Sequence, residues 1–298
     1  MQPNKIEARM MQVTGAGRIL HPAYPSHRLM AGLAAIFAVV GGVVGLVTGR
    51  TLLQVAVLAA GAAIGSAGGW MLAREADPDR HLTATLAAVF GGVLAVILPP
   101  ISLFLVGASV LSLRAANRTT GVPFKLSDTV GFLVVAALTI FTVGQPLLGV
   151  PIAAALLLDG VLVRPNRAHL AAMAVAVLAT AFALITGWQM PLAVGDLRVE
   201  DSGLVWLAPL LLVVVFQLLI PATAEPQSPP DAPNGEPLAR ARIVAARVVL
   251  LLVALVSLAY GRAGISASGP VWAALLAVII GQVSSPYLLP SDRAAKPR

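Results

Sequence analysis

Asp159 is the only acidic residue inside the apolar stretches of this 298-residue chain that are predicted to span a membrane. An ionised carboxylate in hydrocarbon is costly, so such a residue is expected to face a cavity or a charged partner. Arg164 follows five residues later, about 7.5 Å along a helix. Two chemistries fit: an ion pair with Arg164 or Arg118 near the membrane surface, or a site for a proton or coupling ion. Gln145, beside Pro146, and Gln217 are the other members of a candidate intramembrane polar site. Gln54 and Gln282 are expected to make hydrogen bonds between helices. Arg247 also stands inside an apolar run, close enough to Arg240 and Arg242 to extend toward the surface.

Two similar clusters follow the second and third apolar pairs. Arg114, Asn117 and Arg118 form one, and Arg164, Asn166 and Arg167 the other. Arginine beside asparagine suits a phosphate or a lipid headgroup, and a loop on the positive side of a membrane has the same composition. The likeness of the two clusters leaves room for an internal duplication, a common feature of transporters. Of four histidines, His27, His81 and His169 sit at helix entries, and His21 lies in the leader. They do not form a zinc motif, and the absence of cysteine removes thiolate ligands, disulfides and Cys nucleophiles. No phosphate-binding loop, serine-hydrolase elbow, paired-Asp motif or dinucleotide fingerprint occurs. No catalytic, cofactor-binding or metal-binding residue is therefore assigned, and an ATP-driven pump would need a separate ATPase subunit.

The elements that position these residues are helices in lipid. Apolar residues make up 58% of the chain and charged ones 11%, against about 25% charged in a soluble domain. Crossing a ~30 Å hydrocarbon core takes about 20 apolar residues. Six runs qualify directly: 29–49, 52–73, 169–187, 204–221, 243–260 and 270–289. Two longer runs are broken, 82–113 at Pro99-Pro100 and 129–163 at Gly144-Gln145-Pro146 and Pro151. Each is read as two half-length helices, forming either two thin spans or a re-entrant hairpin.

Charge placement favours this pairing. With every pair a hairpin, sixteen Lys and Arg fall on one side, and Arg50, Arg198 and Arg262 on the other. Single kinked spans would change that split to thirteen against six. The positive-inside rule then puts both termini in the cytoplasm. The net charge of +7 is a topology signal, not a nucleic-acid surface. Trp188, Trp206, Trp272 and Tyr260 near outer ends, with Trp70 and Tyr287 near inner ends, form the expected aromatic belt.

The expected fold is thus an all-α polytopic transmembrane bundle of about ten spans in five hairpins, 29–73, 82–113, 129–163, 169–221 and 243–289. Two of these hairpins are broken at prolines. Residues 1–28 form an N-terminal cytoplasmic tail, and 29–221 a bundle of about eight spans. The Pro-rich stretch 222–242 is a disordered cytoplasmic linker. A C-terminal hairpin (243–290) and a short tail (291–298) follow. Gly41, Gly45 and Gly49, and Gly61, Gly65 and Gly69, each lie on one helix face and are expected to pack those helices closely. The same series could serve as a sliding surface or a homodimer seam. The bilayer is the expected partner, with a further protein or a second copy left open. Usage rich in Arg, Ala, Leu and Val suggests a GC-rich bacterial genome and a plasma membrane. Three functions fit: a permease-like carrier of a small solute, a non-catalytic scaffold or subunit, and a membrane enzyme acting on a lipid at the inner face.

Overall fold

The computed structural model describes residues 14–17, 24–187, 204–230 and 235–284. Among them the regular structure is entirely helical. The helices are α1 (Pro25–Val47), α2 (Leu52–Ala76), α3 (His81–Ile97), α4 (Leu103–Asn117), α5 (Leu126–Thr142), α6 (Gly149–Val161), α7 (Ala168–Ile185), α8 (Leu204–Leu219), α9 (Arg240–Ala259), α10 (Gly261–Ala267) and α11 (Gly269–Ser284). Uninterrupted apolar runs adopt this form because a helix pairs its backbone groups within the segment, without water.

Both broken runs fold back. Proline supplies no N–H and disfavours helix in the residue before it, so α3 ends ahead of Pro99 and Pro100. Ser102 then caps α4 by accepting from Leu105 N–H at 3.2 Å. Between α5 and α6, Gly144 takes a left-handed turn (φ 69°), and Pro146–Leu148 forms one 3₁₀ turn. The start of α3 and the end of α4 both reach the end of α2, where Arg80 meets Asp77 and Arg114 meets Glu75. The start of α5 and the end of α6 both reach His169. Each broken run therefore returns to the end of the bundle it left. That end, rich in charge, gathers the C-termini of α2, α4 and α6 and the N-termini of α3, α5, α7 and α9. The opposite end is tied by Ser102 N–H to Ala267 O (3.1 Å) and Leu147 N–H to Tyr260 Oη (2.8 Å).

The glycine series divide between two interfaces. Gly41 and Gly45 bring α1 against Leu58 and Val55 of α2. Gly65 and Gly69 face α3, where a Cβ on either would collide with the backbone carbonyl of Gly91 or Ala87. Gly61 has open space beside it, and Gly49 lies past the end of α1 in a left-handed turn (φ 69°). Two glycines of α1 thus serve the α1–α2 contact and two of α2 the α2–α3 contact.

The largest core joins α2, α3, α4, α6, α8, α9, α10 and α11. Val271, Leu275 and Val278 of α11 are fully buried within it. A second cluster, with Phe132, Ile152 and Leu156, joins α4 to α7. Large apolar side chains also cover the outside: Val39 and Val47 of α1, Leu52 and Leu53 of α2, and Leu178 and Ile185 of α7 are exposed. An exposed apolar surface on this scale suits contact with a membrane or with another protein. Four helices, α1, α2, α7 and α9, are long and apolar enough to cross a membrane. The α10–α11 pair, bent by 74°, would make a fifth if counted as one span. The remaining apolar helices are 10–17 residues long. The architecture is compatible with a membrane protein, and length and composition alone support four to five crossings where about ten were expected.

Of the stretch 222–242, expected as a disordered linker, the described residues 222–230 and 235–239 carry no helix and lie along the charged end. Gln227 and Ser228 donate backbone N–H groups to Asp79 (3.1 and 2.7 Å), and Glu236 N–H reaches Gly121 O at 2.9 Å. Trp188, Tyr287, His21, Arg198 and the tail 291–298 lie outside the described residues, as does the side chain of Trp206.

Candidate functional site

Three carboxylates are buried at the charged end, each within its own set of cations and amides. Glu75, in the last turn of α2, receives Arg114 Nε at 3.0 Å and Asn117 Nδ2 at 3.0 Å. The Thr119 hydroxyl completes its shell. Asp77, just past α2, pairs with Arg80 at 3.0 Å, accepts from Thr83 at 3.0 Å, and lies 3.7 Å from Arg247. Arg247 in turn donates to Ala76 O and the Thr223 hydroxyl, both at 2.9 Å. The Gln282 amide, oriented with Oε1 toward Arg247, accepts from Nη2 at 3.0 Å.

The third carboxylate is Asp159, fully buried near the end of α6. Its Oδ1 accepts from Arg118 Nε at 2.6 Å and from Arg242 Nη1 at 2.8 Å. Its Oδ2 lies 2.8 Å from Nδ1 of His169, which is also fully buried, and His169 Nε2 meets the Thr129 hydroxyl at 3.0 Å. Arg242 spends its remaining donors on Ala116 O and Val163 O. Arg118 Nη1 donates to Arg164 O at 2.8 Å, while its Nη2 has no partner among the described protein atoms. Two buried guanidiniums thus share one carboxylate. Burial of a charge is tolerated when it is paired and hydrogen-bonded, so this end of α6 is held by electrostatics as much as by packing.

Beside this cluster a cavity of about 710 Å³ opens at the charged end. Asn117, Arg118, Arg164, Asn166, Glu236 and Arg242 supply its polar wall, and Phe124, Pro165 and Leu238 are among its apolar residues. Arg118 and Arg164 are the two non-glycine residues with left-handed backbone among the described residues, at φ 52° and 58°. Such a conformation costs on the order of 1–3 kcal/mol per residue and persists only where the surroundings hold it. Here Arg118 is held by Asp159, and the Arg164 carbonyl by Arg118. At the mouth the Arg164 side chain pairs with Glu236.

Of the six arginine and asparagine candidates, the structure brings four to this cavity: Asn117, Arg118, Arg164 and Asn166. Arg114 turns instead to Glu75 and to Ala16 O (2.9 Å), and Arg167 is exposed. The three intramembrane polar candidates do not converge. Asp159 is enclosed at the charged end, Gln145 is buried at the opposite end with Oε1 unpartnered, and Gln217 is exposed on α8. Gln54 caps its own helix through Thr51. Among the described residues no three His, Asp or Glu side chains converge as a metal site.

Arg242 and Glu75 were not expected in a site, and His169 only in the lipid-enzyme reading, beside His81, Arg118 and Arg167. Helix α2 runs three residues beyond its predicted end, which draws Glu75 inside, and α9 starts three residues early, which puts Arg242 in its first turn. His169 looked like a lone interfacial residue because its partners Asp159 and Thr129 lie ten and forty positions away in the sequence. Compared with known proteins, the chain matches no family model, no curated protein and no solved structure.

Proposed function

We propose that this chain is a multi-pass, permease-like membrane protein that carries a small solute, with the cavity at the charged end as its cytoplasmic vestibule. The observation that carries this reading is an opening of about 710 Å³ at one end of the bundle, walled by Arg118, Arg164 and Arg242 together with apolar residues. Its floor is formed by Arg118 and Arg242, behind which Asp159 and His169 are enclosed, and its rim carries the Arg164–Glu236 pair. Beyond the floor the core is apolar, so the arrangement corresponds to a carrier open to one side and closed to the other. The imbalance of sixteen basic residues against three supports assigning the charged end to the cytoplasm. In the same reading the four long helices and the short helix pairs together make about ten crossings, in a bilayer that adapts to the thinner ones at modest cost.

The test is uptake into liposomes reconstituted with the full chain, using panels of anionic and neutral small solutes. Saturable uptake above protein-free vesicles, reduced by Leu238→Trp, which narrows the cavity from a wall residue outside the ion cluster, is the expected result. No uptake of any solute by protein that is correctly folded and inserted would refute the carrier reading.

A further inference from the structure

We infer that the cavity at the charged end is an oxyanion site, and that the ligand it takes carries a phosphate group. The inference deepens the carrier reading by naming the class of solute. It rests on that reading only for transport, since binding can occur without it.

The argument begins with charge. Arg118 and Arg242 are both at least nine-tenths buried and share the single carboxylate of Asp159. The neighbouring carboxylates do not supply the missing charge, because Glu75 is taken by Arg114, Asp77 by Arg80 and Arg247, and Glu236, which also lines the cavity, by Arg164. One positive charge therefore remains in a poorly solvated place, where an unpaired ion is costly. Both arginines stand on the cavity wall, so an anion bound there would lie beside the uncompensated charge.

Donors follow the same pattern. Arg242 uses all three of its guanidinium nitrogens on protein acceptors. Arg118 does not, and its Nη2 is left for an acceptor that the described protein does not provide. Arg164 and Asn166 stand on the same wall, and Arg164 is tied there only by an exposed pair with Glu236. A planar guanidinium with free N–H groups beside a second cation suits tetrahedral, multiply charged oxyanions, which accept several charge-assisted hydrogen bonds at once. The space exceeds what a bare ion needs, and Phe124, Val163, Pro165 and Leu238 give the rest of the wall an apolar character. A phosphate ester with an organic part fits that division, whether it is a free metabolite or the headgroup of a lipid.

The experiment uses the full chain in a phosphate-free, neutral detergent. Thermal unfolding and calorimetry are followed with inorganic phosphate in one arm and with mixed micelles of phosphatidic acid in the other, phosphatidylcholine serving as the control. Wild type is expected to be stabilised by one or both phosphate probes. Phosphate alone or with phosphatidic acid identifies a free anion site, and phosphatidic acid alone a lipid site. Arg118→Lys keeps the charge beside Asp159 but removes the spare arm of the guanidinium, and should weaken binding at least tenfold. Arg164→Gly suits the left-handed backbone at that position, retains the carbonyl that Arg118 uses, and should weaken binding severalfold in a folded protein. No stabilisation by either phosphate probe, or equal binding by wild type and both variants, overturns the site. Uptake of a neutral solute by protein that binds no phosphate would leave the carrier reading standing and this one refuted. Phosphate binding without any uptake would do the reverse.

Discussion

Replacing Asp159 by Asn tests the electrostatic account of the charged end most directly. The amide retains an oxygen at Oδ1 but loses the charge that Arg118 Nε and Arg242 Nη1 approach to 2.6 and 2.8 Å. Two buried guanidiniums then face each other with no counter-ion. Breaking a buried pair by removing one partner costs about 3–5 kcal/mol, most of it the penalty on the stranded charge. Against a typical total stability of about 5–15 kcal/mol this is a large fraction. At about 2–4 °C per kcal/mol for chains of 150–250 residues, the melting temperature should fall by about 6–20 °C, with the lower half of that range expected for this longer chain. The assay is thermal unfolding of the purified protein in detergent. A second variant gives the reasoning its sharper edge. Adding Arg242→Gln to Asp159→Asn removes one of the stranded charges, so the double variant should be less damaged than the sum of the two single ones, with a coupling of about 1–3 kcal/mol. A melting temperature for Asp159→Asn within about 2 °C of wild type, or strictly additive effects in the cycle, would refute the claim that this carboxylate holds two arginines.

Other substitutions probe the rest of the framework by the same unfolding assay. Gly91→Ala should cost about 1–3 kcal/mol, since its Cβ would meet the Gly65 carbonyl across the α2–α3 contact. Gly61→Ala, with open space beside it, should cost nothing and serves as the control on the other series position. Thr129→Val leaves His169 Nε2 without its 3.0 Å partner and should destabilise by about 1–3 kcal/mol, whereas Thr129→Ser should be close to wild type. Tyr260→Phe removes the acceptor of Leu147 N–H at the opposite end and should cost about 1 kcal/mol without altering phosphate binding.

Much of the site was legible in the chain as separate residues. Asp159 stands out because charge in an apolar stretch requires a reason, and Arg118 and Arg164 stand out within the Asn-Arg clusters by composition. The proline breaks at 99–100 and 146 announce turns, and the structure has turns there. What could not be read was which cation each carboxylate would take. Arg114 and Arg118 are four residues apart in one loop-proximal turn, yet one serves Glu75 of α2 and the other Asp159 of α6. That choice depends on which helices flank α4, and sequence separation carries no trace of it.

Composition and charge placement determined by themselves that this chain is a helical protein suited to a membrane, that its basic residues gather at one end, and that the two broken runs turn back. Those are properties of single segments: hydropathy, proline and loop charge act locally, so they survive in a one-dimensional reading. Only the tertiary structure decided that Arg242, from a helix 83 residues downstream of Asp159, completes its shell. Likewise only the fold divides the two glycine series between the α1–α2 and α2–α3 contacts, and leaves an opening of about 710 Å³ beside two arginines that share one carboxylate. Ion pairing and close packing are set by distances between helices. Those distances come from how all the faces fill space together, a constraint on the whole bundle that no segment carries alone.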